Sequence, residues 1–292
     1  MAFEIPSHFA ESFTTNVELL LQERIPVMLM GANMANYQGN KSAQVVKQFG
    51  EVEFEEKTTR NGDTNFAEIE HKQRWVFPTD FTLALPVDKE DEIKMLNSPI
   101  SPYVEAMRAA WARKANTICR DALLGSAKTG DNGGTTTAFD TTNNQIASGS
   151  TGLTITKLRS ALEILRANHS LDNPGVSLHF ALMAEQMTDL LETTEITSSD
   201  YNTVKALVNG DVNTFLGFNF HHYESLGVDG SSDRRCIAWT SDALTYATWN
   251  NPETNIGPRA DKNYLTQVHM AFTAGATRTQ EGKVVEVLCT EA

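Results

Sequence analysis

The sequence predicts an α+β fold in which an extended front half, built on one long helix, precedes a mixed region of short helices and strands. Three features carry that prediction. A helical signal of 23 residues runs between Ser101-Pro102 and Gly125. Upstream, Arg60-Asn-Gly-Asp63 separates two stretches of alternating character, the pattern of a hairpin turn. Downstream of residue 153, helix and strand signals alternate without an internal repeat.

The elements follow in chain order. Phe9, Phe13, Val17, Leu20 and Leu21 recur at helical spacing, with Ser7 as N-cap after Pro6, and Pro26 ends this amphipathic helix. Met28 to Lys41, with Gly31, Gly39, Asn33, Asn36 and Asn40, is expected to be irregular. A helix on such a tether suits an arm packed on a neighbour, and equally a helix on its own domain. From Val45 to Val87 the chemistry changes. Val52 and Phe54 alternate with Glu51, Glu53 and Glu55, and the returning leg holds Phe66, Ile69 and Trp75-Val-Phe77. This hairpin is charged on both sides, through Glu55, Glu56, Lys57, Arg60, Asp63, Glu68, Glu70, His71, Lys72 and Arg74. A two-stranded ribbon has too little apolar area to stand alone in water. We read it as reaching onto a different subunit, with its alternating signs setting register.

The long helix has serine at N-cap, proline at its first position and glycine just past its end. Val104, Met107, Trp111, Ala115, Ile118 and Ala122 form one stripe, and Glu105, Arg108, Arg113, Lys114, Arg120 and Asp121 lie opposite. At 1.5 Å per residue it is a rod of roughly 35 Å, a spine laid across a sheet. Ser126 to Gly152 is rich in Gly, Thr, Ser and Asn and reads as a surface loop or flexible insertion. Leu158, Ala161, Leu162 and Leu165 mark a helix, Val176–Met183 a strand, and Met187, Leu190 and Leu191 another helix. Asp200–Val208 reads as a short helix stopped by Gly210. Phe215–Tyr223, Cys236–Thr240, Thr245–Trp249, Leu265–Phe272 and Lys283–Cys289 read as strands.

Length and composition bound the function. The 292 residues suffice for one large domain or two intertwined ones, and 40% hydrophobic with 21% charged residues is globular. No apolar run nears the roughly 18–20 residues that cross a bilayer, so no membrane partner is expected. Met-Ala-Phe-Glu-Ile-Pro has neither the basic flank nor the apolar segment of a secretion signal, which implies a cytoplasmic site of assembly. Cys119, Cys236 and Cys289 are far apart and odd in number, which suits small buried hydrophobes better than a disulfide framework or metal site. The net charge of −13, from 24 basic and 37 acidic residues, opposes tight nucleic-acid binding.

Several local patterns invite a chemical reading and fail on spacing. In Gly125-Ser-Ala-Lys128-Thr129-Gly130 alanine precedes the lysine and the stretch follows a helix, unlike a phosphate loop. His221-His222 on a strand would point to opposite faces and could not chelate one ion. Ser150, in Ser148-Gly-Ser-Thr-Gly152, lacks the first glycine and preceding strand of a nucleophile elbow. Asp88, Glu90, Asp91 and Glu92 read as a solvated loop rather than a paired-carboxylate site. Asn168-His-Ser170 matches a glycosylation acceptor in form alone. No catalytic, cofactor-binding or metal residue is therefore singled out, no cofactor is expected, and the chain is read as no enzyme.

The order of parts, with local wording, supplies the function. Arm, charged ribbon, spine helix, mixed domain and returning strands resemble the major capsid proteins of tailed bacteriophages, which share the Hong Kong ninety-seven type fold. Arg74-Trp-Val-Phe-Pro-Thr-Asp-Phe81 carries the resemblance, as do Gly125-Ser-Ala-Lys-Thr-Gly130 and Gly133-Gly-Thr135. So do Ile196-Thr-Ser-Ser-Asp-Tyr201, Gly210, Phe215-Leu-Gly-Phe218 and Gly275-Ala-Thr-Arg278. The resemblance implies an N-terminal arm over 1–40, an extended β-hairpin loop over 41–88, and over 89–152 a peripheral domain holding the spine helix and the Gly/Thr-rich loop. It implies an axial domain over 153–250 and, over 251–292, C-terminal strands returning to the peripheral domain. It further implies hexamers and pentamers of this chain in an icosahedral head around double-stranded DNA, in a virion assembled in the host bacterial cytoplasm. Portal, a separate scaffolding protein, a decoration protein and non-specific contact with packaged DNA would be its partners. The acidity suits a wall, since a wall that gripped the genome would hinder its packing and exit. The arm starts almost at Met1, so a cleaved scaffolding segment is not expected, and no lysine or asparagine matches the motif of an inter-subunit isopeptide bond. The alternatives are a bacterial nanocompartment shell of the same fold and an acidic soluble hydrolase.

Overall fold

A computed structural model of the chain describes residues 22–39, 42–56, 60, 66–87, 100–192 and 214–291. The helix expected over Phe9–Leu21, the Asn61-Gly62 turn, the acidic run Asp88–Glu92 and the helix expected over Asp200–Val208 lie outside the described residues.

A 3-10 turn, Val27–Gly31, leads into β1 (Asn33–Asn36), so the stretch expected to be irregular is a strap with its own strand. The ribbon base is β2 (Ala43–Phe49) and β3 (His71–Val76), followed by β4 (Thr79–Val87). The spine helix α1 spans Ile100–Leu124, with Ser101 inside its first turn instead of capping it. Such one-residue differences are ordinary at helix ends. Gly125 closes it as expected, its N–H donating to the Asp121 carbonyl at 2.8 Å. The low-complexity stretch is not a flexible insertion, because it contributes β5 (Ala127–Thr129), β6 (Thr135–Thr137) and β7 (Gln145–Ile146). Each pairs with a neighbour, and backbone pairing needs no apolar side chain.

Next come α2 (Ile155–Ala167), whose N-cap Thr154 accepts from the Lys157 N–H, then β8 (Leu178–Leu182) and α3 (Ala184–Glu192). The single strand expected over Phe215–Tyr223 is two, β9 (Thr214–Phe215) and β10 (Phe218–His222). Between them Leu216 and Gly217 have φ of 52° and 86°, the positive values that a two-residue hairpin of type I′ requires. β11 spans Arg234–Thr240, β12 Leu244–Arg259, β13 Leu265–Arg278 and β14 Val284–Cys289. β12 and β13 are far longer than expected. The outer half of β12 is polar, with Pro252 and Pro258, and hides the strand signal. Pro252 falls in a register shift between Asn250 and Glu253, where no ladder bond is owed.

Three sheets result. A four-stranded sheet runs β1-β12-β13-β4, with β1 parallel to β12 and the other pairs antiparallel. A six-stranded sheet runs β7-β14-β11-β8-β10-β9, and a small antiparallel sheet runs β2-β3-β5-β6. The spine helix lies across the first, as expected. Its buried face is centred on Ala112, Ala115, Asn116, Cys119 and Leu123, with Trp111, Ile118 and Ala122 at the margin. The helix is covered from two sides, by β13 and by the 3-10 turn, so small residues line the closest approach. The main core joins α1, α2 and the six-stranded sheet around Trp239, Phe180, Phe218, Tyr223 and Tyr246. All three cysteines are buried in it as free thiols, the role read from their spacing.

Candidate assembly interface

The ribbon leaves the body with little to cover it. Gly50 N–H donates to the Glu70 carbonyl at 2.6 Å, and beyond that contact residues 51–56 and 66–70 are exposed without forming a regular strand. Phe49, Val52, Phe54, Phe66 and Ile69 are exposed on these legs, Phe54 and Phe66 fully so. The described legs beyond Gly50 carry Glu51, Glu53, Glu55, Glu56, Glu68 and Glu70, with Arg60 between them. Lys72 stands at the base, where it pairs with Glu70 at 3.0 Å, and Arg74 turns inward. Large apolar side chains left exposed in such number on one ribbon mark a site where another surface docks.

At the base the ribbon is anchored by a charged joint. The Glu281 carboxylate accepts from Arg74 Nη2 at 2.5 Å through Oε2 and from Arg278 Nη2 at 3.2 Å through Oε1. Arg278, fully buried, also donates through Nη1 to the carbonyls of Leu123 at 2.6 Å and Gly125 at 2.9 Å, the last turn of α1. Two guanidinium groups on one carboxylate leave a surplus positive charge, which the partial negative end of the helix offsets. Burial pushes the Arg278 guanidinium's pKa below its ordinary value, Glu281 opposes that shift, and Arg74 adds to it. Nearby, Trp75 Nε1 donates to the Gly130 carbonyl at 2.7 Å. A Cβ on Gly275 would lie 2.5 Å from the Phe77 carbonyl oxygen, so β13 meets the ribbon base backbone to backbone. Three separated motifs thus meet at one place: Arg74–Phe77, Gly125–Gly130 and Gly275–Arg278. The residue that binds them, Glu281, carried no sequence signal, because a lone glutamate near a turn looks like any other.

Lys128 is on β5, and Ser150 is in a turn with φ of 54°. Asn168 ends α2, its Nδ2 donating to the Gly282 carbonyl and to Asn144 Oδ1, both at 3.2 Å. His221 and His222 diverge. His222 pairs with Glu224 at 2.6 Å, while His221 turns into the sheet towards His179. No cluster of three His, Cys, Asp or Glu suited to a metal occurs among the described residues. No described helix is long and apolar enough to cross a membrane.

A spine helix across one sheet, a ribbon hinged at its end and a second mixed sheet define a shell-forming subunit. The phage capsid protein family matches residues 5–291, and the chain belongs to that family. No curated protein sequence matches it. Among solved structures, the cyanophage P-SCSP1u capsid is similar with a TM-score of 0.71 at 13% identity, covering 98% of this chain and 94% of that one. Mycobacterium phage Che8 matches with 0.71 at 14%, covering 93% of each chain. The cyanophage Pam1 capsid matches with 0.71 at 11%, covering 96% of each. At such identities the shared property is the fold, the tailed-phage capsid fold that the sequence resembles. The chain is a structural protein of the phage capsid, and neither the nanocompartment shell nor the hydrolase is favoured.

Proposed function

We propose that this major capsid protein forms hexamers and pentamers that close into an icosahedral head around double-stranded DNA, assembled in the host bacterial cytoplasm. Residues 1–40 act as the N-terminal arm, 41–88 as the extended loop and 89–152 as the peripheral domain with its spine. Residues 153–250 form the axial domain, and the strands of 251–292 return to the peripheral domain. Portal, a separate scaffolding protein and a decoration protein are its partners, with non-specific contact to the packaged DNA. We assign no catalytic, cofactor or metal residue, because the activity of such a subunit is the closed container.

The observation that carries this reading is the bare aromatic ribbon. Phe54 and Phe66 gain no burial from their own chain, so their burial comes from sister copies. The alternating charges of the ribbon set where it lands more than how tightly it holds, and many weak contacts together stabilise the shell while errors remain reversible. Deletion of Glu55–Ile69 should leave a soluble subunit that fails to close shells. Particles of normal form from that variant, seen by electron microscopy, would refute the role given to the ribbon.

A further inference from the structure

The strap over residues 22–32, which runs into β1, is clamped at two places of different chemistry. On the spine helix, fully buried Asn116 accepts the Met28 N–H through Oδ1 at 3.0 Å and donates through Nδ2 to the Ile25 carbonyl at 3.2 Å and to the Glu23 carboxylate. On the six-stranded sheet, Trp239 Nε1 donates to the Gly31 carbonyl at 2.8 Å. Gly31 lies flat on that surface, since a Cβ there would stand 2.8 Å from both His179 Cγ and Trp239 Nε1.

The surface beneath Gly31 is a cluster of three rings set side by side. His179, His221 and Trp239 lie nearly parallel, with centroids 5.1 Å apart for the two histidines and 5.6 and 5.8 Å from each to the indole. His179 Nδ1 meets His221 Nε2 at 2.8 Å, and His179 Nε2 meets Ser177 Oγ at 2.8 Å. One hydrogen satisfies the nitrogen–nitrogen contact. A proton on both rings sets two N–H groups against each other and brings two like charges edge to edge. His221 on β10 is the titratable group facing His179. β11 presents the neutral Trp239 indole, the strap presents the Gly31 peptide, and no carboxylate among the described residues acts on either ring.

We propose that this ring cluster is an acid-sensitive latch: a proton added to the imidazole contact lets the strap lift off the six-stranded sheet while the sheets stay folded. The direction follows from linkage. Burial, with the neighbouring ring, lowers the His179 pKa from 6.5 to about 4, and burial lowers that of His221. With the strap lifted, both rings meet water and return towards 6.5, so the open state binds more protons in that window. The closed state is favoured above about pH 6.5 and loses ground as pH falls towards 4. The latch rests on the fold and is independent of how copies assemble.

A nitroxide on Met30→Cys, an exposed strap position in a chain whose own cysteines are buried, reports strap mobility in the full-length protein. Titration from pH 7.5 to 4 should mobilise the label between pH 6.5 and 4 and quench Trp239 emission in step, with far-ultraviolet dichroism unchanged. His221→Gln keeps a hydrogen-bonding group and takes up no proton, so release should move to lower pH with a shallower slope. His222→Gln, altering the ring that faces Glu224, should titrate like the unmodified chain. A label that stays immobile down to pH 4 overturns the latch, as does mobility that rises only with loss of sheet dichroism. Release by His221→Gln at the unmodified midpoint and slope overturns it too. The unmodified chain decides the question alone should the variant not fold.

Discussion

The six-stranded sheet and the ribbon treat large apolar side chains in opposite ways. In the sheet, Trp239, Phe180 and Phe218 are sealed between strands and helices, and Trp239 satisfies its indole N–H on the strap. On the ribbon, Phe49, Phe54 and Phe66 face water beside a row of glutamates. The first arrangement stabilises a subunit and is complete within one chain. The second raises the free energy of the isolated subunit and lowers it again only when something covers the rings. A capsid subunit needs both, a body that holds its shape before assembly and an appendage that is unsatisfied until assembly. The charged joint of Arg74, Glu281 and Arg278 sits where the two regimes meet.

Substitution separates the two regions by size of effect. Trp239→Ala should cost the unassembled subunit about 3–5 kcal/mol, since it opens a core cavity and strands the Gly31 carbonyl. Urea denaturation measures this, and a loss below about 1 kcal/mol would mean that the sheet is not the stabilising core. At the joint, Glu281→Gln should cost about 3 kcal/mol, because two buried guanidinium groups lose their shared counter-charge. Its heat and urea transitions should both fall, and wild-type values would dissolve the joint as a structural unit. Smallest for the subunit is Phe54→Ala with Phe66→Ala, expected within about 0.5 kcal/mol of wild type because neither ring is packed. The same variant should nevertheless lower shell yield in sedimentation. A stability loss approaching that of Trp239→Ala would erase the contrast, by showing that the ribbon folds onto its own chain.

Much of the body was legible because its signals are local. The spine helix announces itself through an apolar repeat at helical spacing and Gly125, and α2, α3, β8, β11 and β14 through short apolar periodicities. The outer half of β12 was not legible, because Asn250–Arg259 is held by backbone pairing to β13 and presents polar residues and prolines. Similar reasoning covers β5 and β6, where threonines and glycines look like a loop and the ladder makes them a sheet. The histidines show the same limit. His221 and His222 are neighbours in sequence, yet the ring that His221 meets is that of His179, 42 residues away. The parallel register of β10 on β8, with Asn219 opposite His179, puts those two on one face.

By itself the sequence determined the class of the chain: an α+β protein with one long helix and a charged ribbon, acidic overall. Those properties follow from periodicity, turn chemistry and composition, which act over a few residues. Tertiary structure alone decided that Arg74, Gly125–Gly130 and Gly275–Glu281 form one joint, that the strap is pinned between Asn116 and Trp239, and that Arg74 faces inward while Phe54 faces out. Such pairings depend on strand register and on which buried charges find a counter-charge, and neither is a property of any one segment.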